Sequence, residues 1–293
     1  MTYNKAQVMG IVNVNCESFY AASRCTTEEV IRQRINGMIA DGADILDIGA
    51  CSTRPGSTPV TLEQEWEYLG KALNVITSEL NNPDSMCSAF FSSHPMRNSL
   101  SIDTFRSDIV KRVYDTVGDF TVNDISAGED DKFMLSTTGK LNLPYIAMHK
   151  RGTPDTMQQL CNYETGVVNE VIEYFKKFNH NAEENGIKEF IVDPGLGFAK
   201  TTDQNYRLLQ ATGQIKKTLK EEFGKEVKIL IGLSRKTMIW KPLGITPDEA
   251  LCGTVALNLH ALTLGADIIR VHDVKEGVQC VKMNTLLQEN KKD

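Results

Sequence analysis

The chain has 293 residues, 41% of them hydrophobic, and carries 38 acidic against 32 basic side chains for a formal charge of -6. That is enough apolar material for a sizeable core, as two modest domains or as one barrel of the (β/α)8 type. It also excludes a broad cationic face for nucleic acid or an anionic membrane, so an anionic ligand has to be held locally. No stretch approaches the ~18 apolar residues of a membrane span. The first residues, Met1 to Gln7, have neither a charged region ahead of a long apolar run nor a transit-peptide composition, and the expectation is a cytoplasmic protein. Seven scattered cysteines (Cys16, Cys25, Cys51, Cys87, Cys161, Cys252 and Cys280) form no CxxC pair and have no zinc-type spacing to histidine, so they read as reduced thiols.

Along the chain, short β-branched runs that end in polar residues or glycine alternate with segments of helical period. The first strand falls at 8–13. A helix follows over 27–40, with Val30, Ile31, Ile35, Met38 and Ile39 as its apolar positions, and a second strand at 45–48. Residues 81–98, with their serines, asparagines, two prolines and Cys87, break the rhythm and read as a surface loop insertion ahead of the third strand at 100–103. Further strands fall at 120–125, 145–149, 190–193, 228–233 and 268–272, with an Ala/Leu-rich helix over 248–264 before the last. Strands that alternate with helices pair in parallel. Eight such units within 293 residues favour one closed (β/α)8 barrel as a single domain over an eight-stranded open sheet, although periodicity does not itself establish closure.

In such a barrel the ligand is met at the carboxyl ends of the strands. Those ends carry Asn13, Asp47, Asp103, Asn123 with Asp124, His149, Asp193, Ser234 to Lys236, and Arg270 with His272. One Asp or Asn after a strand is commonly a helix cap or turn residue, which is an equal reading for Asp47 and Asp124. Capping does not account for acidic, amide and basic groups converging on one rim. Asp103, Asn123, Asp193 and Lys236 suit a flat heterocycle such as a 2-amino-4-oxo pterin edge, whose amino and ring N–H groups need acceptors and whose carbonyl needs a donor. Arg270 and His272 lie two apart on one strand and so share a face; with Asn13 they form a cradle for phosphate oxygens, although an ion pair from Arg270 to a carboxylate is the competing reading. The GLSRK stretch places the cations Arg235 and Lys236 beside Ser234, as anion binding would need. Two polar loops, 15–23 and 51–59, have the composition of substrate-covering segments.

The strings MGIVN (from Met9), STRPG (from Ser52), SIDTF (from Ser101), VNDIS (from Val122), MHKRGTP (from Met148), DPGLGFAK (from Asp193), SRK (from Ser234) and RVHDV (from Arg270) occur in this order. Together they resemble the dihydropteroate synthases. The resemblance implies a pterin pocket of Asp103, Asn123, Asp193 and Lys236 with Met148 and Phe198 as apolar or stacking contacts. It implies a pyrophosphate site of Asn13, Arg270 and His272, with Mg2+ as cofactor touching Asn13. It implies that Thr53, Arg54 and Ser234 receive p-aminobenzoate, with Phe19 and Pro55 near its ring, and that the enzyme is a homodimer. Asp103, Lys236, Arg270 and His272 are then the catalytic set of a dissociative transfer of the pterin-methyl group to the arylamine. One departure stands out. The family's first loop usually reads TPDSFSDGG, whereas here it is NCESFYAAS, which keeps Ser18 and Phe19, has Glu17 for an aspartate, and with Ala21, Ala22 and Ser23 lacks the glycines. Pterin-dependent methyltransferases share the barrel and the Asp, Asn and Asp contacts without needing STRPG, SRK or RVH, and a catalytically silent pterin-binding relative is the other reading.

Overall fold

The computed structural model of the chain describes residues 5–14, 27–51, 60–153 and 155–290. Eight strands, β1 (Gln7–Asn13), β2 (Ile45–Gly49), β3 (Leu100–Asp103), β4 (Thr121–Asp124), β5 (Tyr145–Met148), β6 (Phe190–Asp193), β7 (Lys228–Ile231) and β8 (Ile268–Val271), follow one another around a closed barrel. All neighbouring pairs are parallel, and β8 pairs with β1 from Gln7↔Ile268 to Gly10↔Val271, which settles closure. Around the barrel lie α1 (Glu28–Asp41), α2 (Leu62–Leu80), α3 (Met86–Ser93), α4 (Met96–Ser99), α5 (Ser107–Val117) and α6 (Met134–Lys140). They are followed by α7 (Val167–Glu184), α8 (Thr202–Gln210), α9 (Thr212–Phe223), α10 (Thr237–Leu243), α11 (Leu251–Thr263) and α12 (Val274–Glu289). Among the described residues no helix is long and apolar enough to cross a membrane, and the five described cysteines are free thiols.

The strands are short because each needs only two inward side chains to fill the lumen, and period two makes those residues alternate with ones that face the helices. Outward residues such as Val8, Leu46, Ile48, Ile102 and Val122 join the helix faces in one large core. Inward, Met9, Ile45, Ile146, Leu230 and Ile268, with Ile191, make a separate apolar plug. Two residues further along the same strands stand Ile11, Asp47, Met148, Gly232, Arg270 and Asp193. The lumen therefore changes from dry to polar within one side-chain repeat, about 6.6 Å along the strand. Gly10 faces the helices, where a Cβ would lie 2.8 Å from Met38 Sδ and 2.9 Å from Val274 Cγ2, so only glycine lets α1 and α12 seat this closely on β1.

Helix α1 starts at Thr27, whose hydroxyl accepts from the Val30 N–H, and ends at Gly42, whose φ of 92° lets its N–H close the last turn. Its buried stripe is Ile31, Ile35 and Met38; Val30, expected to face the core, is 42% exposed because it lies a quarter-turn outside that stripe. The reading of 81–98 as a loop is corrected: Ser85 caps α3, which buries Cys87, Phe90 and Phe91, and α4 leads directly into β3. The i, i+3, i+4 spacing of those three residues carried the helix signal, beneath a serine- and proline-rich composition. The segment does precede a strand, on the barrel face away from the strands' carboxyl ends.

Candidate active site

At the carboxyl end of the barrel a cavity of about 630 Å3 is lined by Asn13, Asp103, Asn123, Met148, Asp193, Phe198, Ser234, Lys236, Arg270 and His272. These are all the described members of the site expected from the sequence; Phe19, Thr53, Arg54 and Pro55 lie outside the described residues. Each strand aims its residue by parity: Asn123 points into the barrel, while Asp124 next to it points out, accepting from the Ser126 hydroxyl at 2.7 Å and the Tyr145 hydroxyl at 2.5 Å. Asp124 is thus a buried turn-holding residue, as its capping reading allowed. His149, which like Asp47 and Asp124 is outside the cavity lining, packs edge-on to Tyr174 and meets Lys200 Nζ through Nδ1 at 2.9 Å.

The centre of the polar layer is Asp47, for which the sequence offered a cap role equally. Fully buried, it accepts from Arg270 Nε at 2.7 Å and Nη2 at 2.5 Å, and from Asn123 Nδ2 at 3.2 Å on both oxygens. It thereby orients an amide and a guanidinium at once. The signal for this was available: Asp47 is the third of five residues in ILDIG, followed by two more strand residues, where no helix can begin. Arg270 also donates through Nη2 to Asp103 at 2.8 Å, so the ion-pair reading of Arg270 holds in this structure. Burial opposes the guanidinium's charge, but Asp47 and Asp103 more than offset it and hold the group protonated. Burial pushes the Asp103 carboxyl up to about 7, against the pull of Arg270 and with help from Asp47 and Glu65.

The opposite wall is built by the loop after β6. Asp193 Oδ1 accepts from the Gly195 N–H at 2.8 Å, Lys236 Nζ donates to the Leu196 carbonyl at 2.6 Å, and Nζ stands 4.8 Å from the Phe198 ring centroid, a cation over an aromatic face. Burial raises the Asp193 carboxyl from its usual range and lowers the Lys236 ammonium to about 8, with each partly countering the other's shift. Lys236 therefore stays largely charged at neutral pH, though with less margin than the neighbouring carboxylate alone suggests.

On the third side, His272 Nδ1 meets the Ser234 hydroxyl at 2.9 Å, and the His272 carbonyl accepts from Arg34 Nη2 of α1 at 2.6 Å. Burial, then the positive field of Arg270, Arg34, Arg235 and Lys236, drops His272 to about 3, so its ring is neutral. Arg235 corrects the anion-binding reading of GLSRK. Its guanidinium pairs with Asp273 at 2.9 Å and 3.0 Å and donates to the carbonyls of Pro247 and Asp248, while its backbone takes a φ of 54°. The residue braces the turn from the cavity wall, where Ser234 and Lys236 also stand, with its guanidinium already engaged by Asp273 and the two carbonyls. Cys51, also at the rim, is pushed well above the thiol range by burial and then by Glu65, so it is no ready nucleophile.

A parallel (β/α)8 barrel with a polar pocket at its carboxyl mouth belongs to the class of barrel enzymes that take small ligands there. The chain matches the pterin binding enzyme family over residues 9–272. It is 33% identical over 282 residues to a dihydropteroate synthase of Synechocystis sp., covering 95% of this chain and 89% of that protein. To the dihydropteroate synthase of Escherichia coli it is 32% identical over 278 residues, covering 94% and 89%. It is also 34% identical over 283 residues to the folic acid synthesis protein fol1 of Schizosaccharomyces pombe, of whose length it spans 36%. Among solved structures, Yersinia pestis dihydropteroate synthase with a sulfonamide drug complex superposes with a TM-score of 0.83 at 29% identity, covering 97% of this chain and 95% of that one. Xanthomonas albilineans dihydropteroate synthase with 4-aminobenzoic acid gives 0.80 at 30% identity, covering 97% and 94%. The chain belongs to the dihydropteroate synthase family of pterin-binding enzymes.

Proposed function

We propose that this chain is a dihydropteroate synthase, a transferase of folate synthesis that condenses 6-hydroxymethyl-7,8-dihydropterin pyrophosphate with p-aminobenzoate, giving dihydropteroate and pyrophosphate. The observation that carries the reading is the convergence of Asp103, Asn123, Asp193 and Lys236 on one cavity with Met148 and Phe198 as its apolar walls. The carboxylates accept from the amino and ring N–H groups of the pterin, and Asn123, its amide oriented by Asp47, matches a mixed donor and acceptor edge. Lys236 donates to a pterin carbonyl or ring nitrogen. Asn13, Arg270 and His272 receive the pyrophosphate. Among the described residues, Asp47 and Asp103 take Nε and Nη2 of the Arg270 guanidinium, and the Nη1 edge is the one assigned to phosphate oxygens.

In the reaction, the bond between the pterin methylene carbon and the pyrophosphate oxygen breaks first, its electron pair leaving with the pyrophosphate. Arg270 and the neutral His272, as an N–H donor, meet that growing charge. The ionised form of Asp103 faces the positive charge spread over the dihydropterin. The amine nitrogen of p-aminobenzoate then bonds to the methylene carbon and releases a proton. Thr53, Arg54 and Ser234, with Phe19 and Pro55, are assigned to this second substrate.

A magnesium ion fits this donor set as a companion of the substrate. Among the described residues no three His, Cys, Asp or Glu side chains are grouped to cage a cation. The neutral Asn13 at the end of β1 suits an ion whose other ligands are phosphate oxygens and water. Bound there, it would neutralise leaving-group charge as a Lewis acid. We carry the homodimer forward with this reading; light scattering that returns the mass of one chain removes it.

The test is pyrophosphate release with Mg2+ and both substrates, compared with each omitted. Release that requires both, matched by dihydropteroate, is the expected outcome; pterin binding without turnover points instead to a silent relative and to the rewritten 15–23 loop.

A further inference from the structure

Lys200 closes the DPGLGFAK string and is only 4% exposed, yet no role above uses it. Its ammonium meets four acceptors: His149 Nδ1 at 2.9 Å, the Gly195 carbonyl at 2.9 Å, the Phe198 carbonyl at 2.8 Å and the His149 carbonyl at 3.3 Å. The backbone it gathers is also held at Gly197, whose N–H donates to Asn205 Oδ1 at 2.7 Å, and at Ala199, whose carbonyl accepts from the Tyr163 hydroxyl at 3.0 Å, but among the described residues only Lys200 ties it to the end of β5 through two bonds to His149. Gly195, Gly197 and Ala199 have φ of 71°, 88° and 51°, a left-handed conformation that is unfavourable for alanine. The same few residues supply the N–H that fixes Asp193, the carbonyl that fixes Lys236 and the ring of Phe198.

We propose that Lys200 is the positioning residue of the pterin wall, tying the 194–199 loop to the end of β5 so that Asp193, Lys236 and Phe198 stand where the heterocycle needs them. The proposal rests on the pterin reading of the site. The three carbonyls can only accept, so the amine donates to them, and where Lys200 is protonated His149 must offer a bare Nδ1 and carry its proton on Nε2. The electrostatics agree. Burial, then Lys200 itself, holds His149 down at about 2, hence neutral, while burial lowers Lys200 to about 7 and Asp193 opposes that fall. Lys200 in turn is one of three cations that face Asp193, with Lys236 from the start of α10 and Arg270 from β8.

The test is calorimetric titration with 6-hydroxymethyl-7,8-dihydropterin, which needs no turnover. Lys200→Met keeps the stem and removes the donors, stranding buried acceptors; the expected loss of affinity is about tenfold to a hundredfold. Protonation of Asp103, raised to about 7, and of Asp193 both weaken binding at acid pH; the Asp193 part of this acid limb should move to higher pH in Lys200→Met, because one cation facing that carboxylate is gone, and a brace without this role would leave the limb in place. In Lys200→Ala, added ethylammonium should recover affinity by filling the vacated site. Should Lys200→Met not fold, His149→Phe, which withdraws one acceptor and keeps the lysine, should still weaken binding severalfold. Affinity within twofold of wild type in the folded variant, or an unmoved acid limb, overturns the proposal alone. Failure of the wild type to bind the pterin overturns both the functional reading and this inference.

Discussion

Replacing Asp47 by asparagine tests the centre of the polar layer. The carboxylate is wholly buried and accepts from both Nε and Nη2 of Arg270 and from the Asn123 amide. An asparagine has one acceptor oxygen and must turn an NH2 group toward one of these donors. Arg270 keeps Asp103 as partner, so the cost lies near the lower end of the ~3–5 kcal/mol for breaking a buried pair, about 3 kcal/mol. At roughly 2–4 °C per kcal/mol for a large domain, the melting temperature should fall by about 10 °C. Pterin affinity should fall about tenfold or more as Asn123 loses its orienting partner. Asp103 should also titrate below its present value of about 7, because Asp47 is one of the charges that raise it. Scanning calorimetry and pterin titration read both effects. A melting point within about 2 °C of wild type and an unchanged affinity would falsify the claim that Asp47 organises the site.

A Cβ at Gly195 would lie 1.9 Å from the His149 carbonyl oxygen, so Gly195→Ala should disrupt the 194–199 loop and abolish detectable pterin binding; binding at wild-type strength would show the loop to be dispensable. Arg270→Ala should weaken the pyrophosphate-bearing substrate about tenfold more than the pyrophosphate-free pterin, and equal losses in competition titrations would remove Arg270 from the leaving-group site. His272 and His149 are held at about 3 and about 2, below the ~6.5 of an unfolded imidazole, so the unfolded chain binds more protons as pH falls from 6.5 toward 3. Their stabilisation is complete above 6.5 and is lost below it, while Asp103, raised to about 7, works in the opposite sense between 7 and 3.8. Hence His149→Gln should lose less stability than wild type between pH 7 and pH 5 in urea titrations; an equal loss would contradict the neutral, buried assignment.

Most of the barrel was legible because parallel strands buried on both sides read as short continuous apolar runs: 100–103 and 190–193 match β3 and β6 to the residue. β1 and β2 each run one residue beyond the expected 8–13 and 45–48, and β4, β5, β7 and β8 each stop one or two residues short because backbone pairing ends before the sequence pattern does, as at Leu233 and His272. The cavity residues were legible for a related reason, since parity along a strand decides which polar residue faces inward. What failed was reading function from residue type without partners. Arg235 looked like an anion-binding cation and is consumed by Asp273; Asp47 allowed a cap reading and is the hub between Asn123 and Arg270. Partners that meet across one intervening strand but lie 223 residues apart in the chain, as Asp47 on β2 and Arg270 on β8 do on either side of β1, leave no local pattern.

The charges of the layer also bear on which ligand it awaits. Asp47, Asp103 and Asp193 face Arg270, Lys236 and Lys200, a nearly balanced set from which burial removes charge on both sides: Asp103 rises to about 7 while Lys236 falls to about 8. A neutral heterocycle leaves that balance alone. A pyrophosphate group beside Arg270 and His272 adds negative charge, which favours every protonated form nearby. Near pH 8, where Lys236 is partly deprotonated, binding of the pyrophosphate-bearing pterin should therefore take up a fraction of a proton and the pyrophosphate-free pterin much less. Calorimetry in two buffers of different ionisation enthalpy reads this directly. Apparent binding enthalpies that agree in both buffers for the pyrophosphate ligand would mean that its charge does not reach Lys236, and that the leaving-group site lies elsewhere on the rim.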